Sequence, residues 1–195
     1  LQCPYMFTKA RLVVQEMTDL LVLDLVDKGL VTNQMVLTVG YDIDNLKKSS
    51  LRKNYHGEIT TDRYGRKIPK HAHGTANLKS YTSSTKQIVE AVLKLYDNIV
   101  DPNLLVRRIT VVANHVLSET DVKKETSFEQ MDLFTDYDAL AAEQEEKDQE
   151  KEKKVQQAML DIKKKFGKNA ILKGINLEEG ATARDRNNQI GGHRA

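Results

Sequence analysis

Cysteine is nearly absent from this chain. Cys3 stands alone among 195 residues, which excludes an internal disulfide framework and a cysteine-based zinc site. Such sparing use suits a reducing, cytosolic setting. Tryptophan is missing, proline occurs three times, and aromatic residues make up 6% of the chain. No run approaches the roughly eighteen uninterrupted apolar residues that a membrane-crossing helix requires. The glycine-rich phosphate loop ending in Lys-Ser/Thr is absent, as is a Gly-x-Ser-x-Gly elbow. Paired carboxylates on adjoining strands are also lacking, and Asp42 and Asp44 suit a turn-capping role. Nothing points to a self-contained active site, and no catalytic residue is expected. Leu1 stands where an initiator Met would, with no signal peptide before it, so a piece of a longer polypeptide is expected.

What is present divides in two near residue 125. The first 125 residues carry 18 Lys/Arg against 14 Asp/Glu; the remaining 70 carry 12 against 14. Aliphatic residues crowd the first part, which can bury one core, and thin out in the second, which cannot build one of its own. Val14, Met17, Leu21 and Leu25, widened by Leu20, recur at helical spacing and predict a helix over 8–28, with Thr8 as its cap and Gly29 at its left-handed end. Met35, Leu37, Val39 and Tyr41 alternate with small and polar residues, the mark of a half-buried strand over 34–41. Ile88, Val92, Leu95 and Ile99 predict a second helix over 84–100, with Pro102 just past it. Strands are expected over 2–7, near 68–78 and over 105–114.

The order is βαββαβ, an α+β arrangement in which two helices cover one face of a four-stranded sheet. The other face is left open and displays Thr38, Gly40, Arg108, Thr110 and Asn114. Residues 44 to 80 hold nine basic and three acidic side chains. Lys67, Lys70, Lys79, Arg107 and Arg108 offer charge to phosphates, and Thr38, Gly40, Gly74, Thr75 and Thr110 allow close backbone approach, a combination suited to a nucleic-acid backbone. An ordinary solvated basic surface has the same composition. His71 and His73 share one face of a strand, but no spacing resembles a closed metal site; they read as polar, phosphate-facing or exposed, and no metal is expected.

The second part holds a polar linker, a charged helix over 138–166 laced by i,i+4 pairs and solvated along its length, and a polar, mostly disordered tail over 167–195. Leu140, Val155, Met159 and Ile162 give that helix only a thin apolar stripe. Within the linker, Gln130-Met131-Asp132-Leu133-Phe134 places an apolar pair where no home core is evident. It is a candidate docking peptide; the alternative is that Phe134 folds back onto the preceding domain.

The element order, this pentapeptide, Val106-Arg107-Arg108-Ile109, the stretch from His71 to Leu78, and the tail words Lys165 to Gly174 and Arg186 to His193 together resemble the C-terminal part of a bacterial Y-family DNA polymerase, of the UmuC/MucB/ImpB-like kind found in Gram-positive bacteria. The resemblance implies a little-finger DNA-binding domain over 1–118 with a basic insertion at 44–67, then a linker over 119–137 carrying a sliding-clamp-binding motif. It implies that Thr38, Gly40, Lys67, Lys70, His71, His73, Thr75, Lys79, Arg107, Arg108 and Thr110 meet DNA. Gln130, Met131, Asp132, Leu133 and Phe134 would meet the clamp, with Met131 a near-isosteric departure from the usual Leu.

The same resemblance places the palm, fingers and thumb upstream of Leu1. Polymerase activity is therefore not expected of this part alone, and the Mg²⁺ of the parent would be bound elsewhere. The implied partners are damaged or primer–template DNA, the clamp, and a recombinase filament or polymerase accessory subunit; a membrane is not among them. The implied setting is cytoplasmic translesion synthesis in an SOS-type response. Two other readings stand beside it. One is an RNA-binding module that stacks bases on Tyr64 or Tyr81; the other is a protein-only adaptor.

Overall fold

The computed structural model describes residues 1–47, 55–126, 136–190 and 193–194. Helix α1 (Phe7–Asp27) leads into the long strand β1 (Leu30–Tyr41). A short helix α2 (Asp44–Lys47) and a hairpin of β2 (Ile59–Thr61) and β3 (Lys67–Pro69) precede β4 (Ala72–Thr82). Then come α3 (Thr85–Ile99), β5 (Val106–Asn114), the two-residue β6 (Leu117–Ser118) and α4 (Glu119–Thr126). The long helix α5 (Asp136–Phe166), a 3₁₀ turn (Gly174–Leu177), α6 (Ala183–Asn187) and a small ladder of β7 (Gln189–Ile190) with β8 (His193–Arg194) complete the chain.

β1 is the central strand. It pairs antiparallel with β4 on one side and β5 on the other, and β6 joins its first residues. Period-two alternation places Met35, Leu37, Val39 and Tyr41 in the core. There they meet Ala10, Val14 and Val22 of α1 and Ile88, Val92 and Tyr96 of α3. Gly29 has φ +64, so the turn between α1 and β1 is made in the left-handed region that glycine enters freely. Ser84 caps α3 by accepting from the Gln87 N–H. Tyr96 is fully buried, and its hydroxyl donates to the Phe7 carbonyl at 2.9 Å. Burial pushes that phenol far above the ordinary tyrosine range.

The two-helix, antiparallel-sheet plan is the expected one, and four details differ. The strand expected over 2–7 is a single bridge, Tyr5 to Val106, with both hydrogen bonds at 2.8 Å. Pro4 lacks an N–H and the helix begins at Phe7, so no ladder has room to grow. Thr8 lies inside α1 and does not cap it; Met6 holds the cap position without a side-chain hydrogen bond. The charged helix is not solvated along its length. Its Gln156 is buried and donates to the Ser83 carbonyl and to Thr85 Oγ1. Its Glu152 accepts from Ser84 Oγ at 2.6 Å and from the Lys86 N–H at 3.0 Å, adding an anionic cap to the neutral one that Ser84 gives α3.

The fourth difference is the largest. Residues 167–190 are not a free tail but fold back over the outer side of α1. Gly167, at φ +100, ends α5 and turns the chain. The anchor is Glu16, 2% exposed. Its Oε1 accepts from Asn176 Nδ2 at 3.0 Å and from the Ala183 N–H at 3.3 Å. Its Oε2 accepts from the Thr182 N–H at 2.8 Å, Thr182 Oγ1 at 3.1 Å and Arg186 at 3.4 Å. One turn along α1, Asp19 pairs with Lys173 at 2.9 Å. Burial raises the Asp19 pKa and the Lys173 contact pulls it back.

A buried carboxylate without its donors is strongly unfavourable, and donors without their carboxylate lose nearly as much. Glu16→Leu is therefore expected to lower stability by about 3 kcal/mol in chemical denaturation. Glu179→Ala, which removes only the exposed Lys9–Glu179 pair, is expected to leave the midpoint unchanged.

Candidate nucleic-acid interface

The face of the sheet opposite the helices takes the other half of each alternation. From β1 it receives Gln34, Val36, Thr38 and Gly40; from β4, His73, Thr75, Asn77 and Lys79; from β5, Arg108, Thr110, Val112 and Asn114. The registers place these in rows. His73, Thr38 and Thr110 lie side by side, next to a row of Thr75, Val36 and Val112, and then one of Asn77, Gln34 and Asn114.

The rows are cross-linked. Thr38 Oγ1 and His73 Nδ1 share a hydrogen bond of 2.9 Å. Gln34 donates to Asn77 Oδ1 at 2.9 Å and accepts from Asn114 at 3.1 Å, giving an amide ladder across three strands. None of these twelve positions carries a carboxylate, and His73, Thr75, Asn77, Lys79 and Arg108 are exposed. The face is thus bare, neutral to basic, and stiffened by its own polar contacts. Such a surface offers hydroxyls, amides and cations to an anionic backbone without committing to any base.

The expected site residues distribute unevenly over this surface. Thr38, Gly40, His73, Thr75, Lys79, Arg108 and Thr110 are on the face. A Cβ on Gly40 would lie 3.3 Å from the Arg108 Cβ, so glycine there lets the arginine cross the central strand closely. His71 is exposed just before β4, its ring 6.4 Å from that of His73. Lys67 and Lys70 belong to the hairpin end, where Lys70 pairs with Glu58 at 2.6 Å.

Arg107 points elsewhere. The register shift between Gly40 and Tyr41 separates it from Arg108, and its guanidinium donates to the Gln2 carbonyl at 2.8 Å, with Asp42 3.9 Å away. It ties down the N-terminal residues. Gly74 is also not on the open face: it lies under α3, where a Cβ would meet Leu95 Cδ1 at 2.9 Å and Ile99 at 3.3 Å. Its smallness serves packing.

Gln34, Asn77 and the apolar centre of Val36 and Val112, the latter 42% exposed, were not anticipated as part of the site. The signal for Gln34 and Val36 lay in their shared parity with Thr38. Asp42 does act as a turn former, its Oδ1 accepting from the Asp44 N–H at 2.9 Å. Among the described residues, no three His, Cys, Asp or Glu side chains come together to hold a metal. No described helix is long and apolar enough to cross a membrane. Gln130, Met131, Asp132, Leu133 and Phe134 lie outside the described residues.

An antiparallel sheet with two helices behind and a bare, acid-free front defines the class of the domain. Residues 6–133 match the impB/mucB/samB family C-terminal domain. The chain belongs to this family, whose C-terminal domain is the little-finger region of UmuC-like Y-family DNA polymerases. Neither a curated protein nor a solved structure matches it.

The two glycines face opposite sides of the sheet, Gly74 toward α3 and Gly40 toward the open front. Gly74→Val forces side chain into the α3 contact and is expected to cost about 2 kcal/mol of stability, read as a lowered thermal midpoint.

Proposed function

We propose that this chain is the holding part of a translesion DNA polymerase, gripping primer–template duplex with its open sheet and tethering to the sliding clamp through Gln130, Met131, Asp132, Leu133 and Phe134. The observation that carries the DNA grip is the acid-free front of β1, β4 and β5, with Arg108 and Lys79 as cations and Thr38, Thr75 and Thr110 as hydroxyl donors. Strand geometry fixes these groups at the regular intervals that a row of phosphates requires. Because they meet backbone oxygens, the grip is indifferent to sequence, as a polymerase meeting any template needs.

The clamp hold rests on the motif alone. Leu133 and Phe134 enter an apolar cleft and Gln130 bonds at its edge. Each hold is weak, and each raises the local concentration of the other. Catalysis belongs to the palm of the parent polymerase, where Mg²⁺ and nucleotide are bound; the setting is cytoplasmic DNA repair under SOS-type induction. A recombinase filament or polymerase accessory subunit is the further partner of the parent.

Two measurements test these holds. For duplex DNA, neutralising about four phosphates gives a slope of log affinity against log salt near −3.6, and Arg108→Ala reduces its magnitude by about 0.9. A slope near zero, or no binding at low salt, rejects the DNA grip and supports a protein-only adaptor. For purified clamp, Leu133→Ala combined with Phe134→Ala is expected to cost more than about 2 kcal/mol by calorimetry. Unchanged affinity rejects the tether.

A further inference from the structure

The β2–β3 hairpin carries a feature that the open sheet does not use. Its tip, Asp62 to Arg66, is a closed turn. The Asp62 N–H donates to the Arg66 carbonyl at 2.9 Å, and the Gly65 N–H donates to the Asp62 carbonyl at 3.0 Å. Gly65 has φ +77, a conformation glycine supplies at no steric cost. The Asp62 carboxylate accepts from the N–H groups of Tyr64 and Arg66, both at 2.9 Å, and from Arg66 Nε at 2.7 Å. Those contacts, the Arg66 side chain first, hold the Asp62 carboxyl below the ordinary aspartate range, so the turn keeps its central charge.

This turn presents Tyr64. The ring is 67% exposed, and two guanidiniums lie against it, Arg63 at 4.8 Å and Arg66 at 5.1 Å from the centroid. An aromatic ring pushed into water on a rigid tip adds nothing to the core, and cations fixed beside it suit a ligand with flat rings and negative charge. A duplex keeps its bases stacked internally and offers only phosphates, leaving the tyrosine ring unused. A strand with unpaired bases satisfies both groups at once, its base on the ring and its phosphate on the Arg63 guanidinium, while Asp62 holds Arg66 in place beside the ring. The tip is also placed to receive such a strand. β3 runs through Lys70 and His71 directly into β4, and the ten residues from Tyr64 to His73 span at most about 30 Å.

We infer that the hairpin tip Arg63-Tyr64-Arg66 is a second nucleic-acid site, one that stacks an unpaired base of the single-stranded template running beyond the duplex held by the sheet. The inference rests on the DNA grip proposed above, and its test separates the two. The 195-residue chain is titrated, by fluorescence anisotropy at low salt, into a blunt duplex and into the same duplex with a single-stranded template extension. The extension is expected to strengthen binding about tenfold, in the range expected for one stacked base. Tyr64→Ala removes that gain and leaves blunt-duplex affinity unchanged, while Tyr64→Phe retains the gain because the ring suffices. Arg63→Ala reduces the gain and lowers its salt dependence. Equal affinity for the two DNAs, or a gain that survives Tyr64→Ala, overturns the hairpin site while leaving the sheet grip standing. Failure to bind either DNA overturns both.

Discussion

Everything in this domain hangs on the two-sidedness of β1. A strand paired on both edges has no free backbone to give, so its side chains alone decide what each face does. One parity of β1 is apolar and each member, from Met35 to Tyr41, is buried under α1 and α3, worth about 2 kcal/mol per large side chain. The other parity reads Gln34, Val36, Thr38, Gly40, and cannot be buried without partners for its amide and hydroxyl groups. The helices are thereby confined to one side, and the front stays open. A shift of one residue in the register would exchange the two faces, which is why the alternation is strict where the strand is central. It relaxes only at the ends, at Thr32/Gln34 and Gly40/Tyr41.

Behind the helices lies a third layer, which the Glu16, Asp19 and Leu23 stripe of α1 organises. Those positions are three and four apart, so they occupy one side of the helix, away from the sheet. A stripe with two carboxylates in it cannot pack against hydrocarbon. It is matched by a segment supplying N–H groups, an amide, a hydroxyl, an ammonium and a guanidinium. The pairing is specific rather than merely adhesive, because each Glu16 oxygen needs donors in particular directions. The C-terminal segment, poor in large apolar residues, gains its order from these charged partners and not from a core of its own.

That distinction explains what was legible in the sequence. The two helices, the central strand and the bare face follow from periodicity, which reports burial against hydrocarbon directly. The limits of the N-terminal strand and the docking of residues 167–190 do not. Glu16 and Asp19 at i,i+3 look like a solvated face until their partners, about 160 residues on, are placed opposite them. The same blindness applied to Gln156 and Glu152, polar residues of a charged helix that turn out to cap and bind α3. For the site, parity gave Thr38 and Arg108, but composition cannot tell a glycine kept small for packing, Gly74, from one kept small beside a neighbouring strand, Gly40. Nor can it show that Arg107 is tied to the Gln2 carbonyl.

The anchorage of α5 makes the charged helix a rigid arm of the domain. The chain departs through α4, held where the Glu119 N–H meets the Gly29 carbonyl, and re-enters through α5, fastened to α3 at Glu152 and Gln156. From Asp136 to Glu152 the helix rises about 24 Å. Helix α5 is therefore a spar made fast along its flank, obliged to turn wherever α3 and the sheet turn.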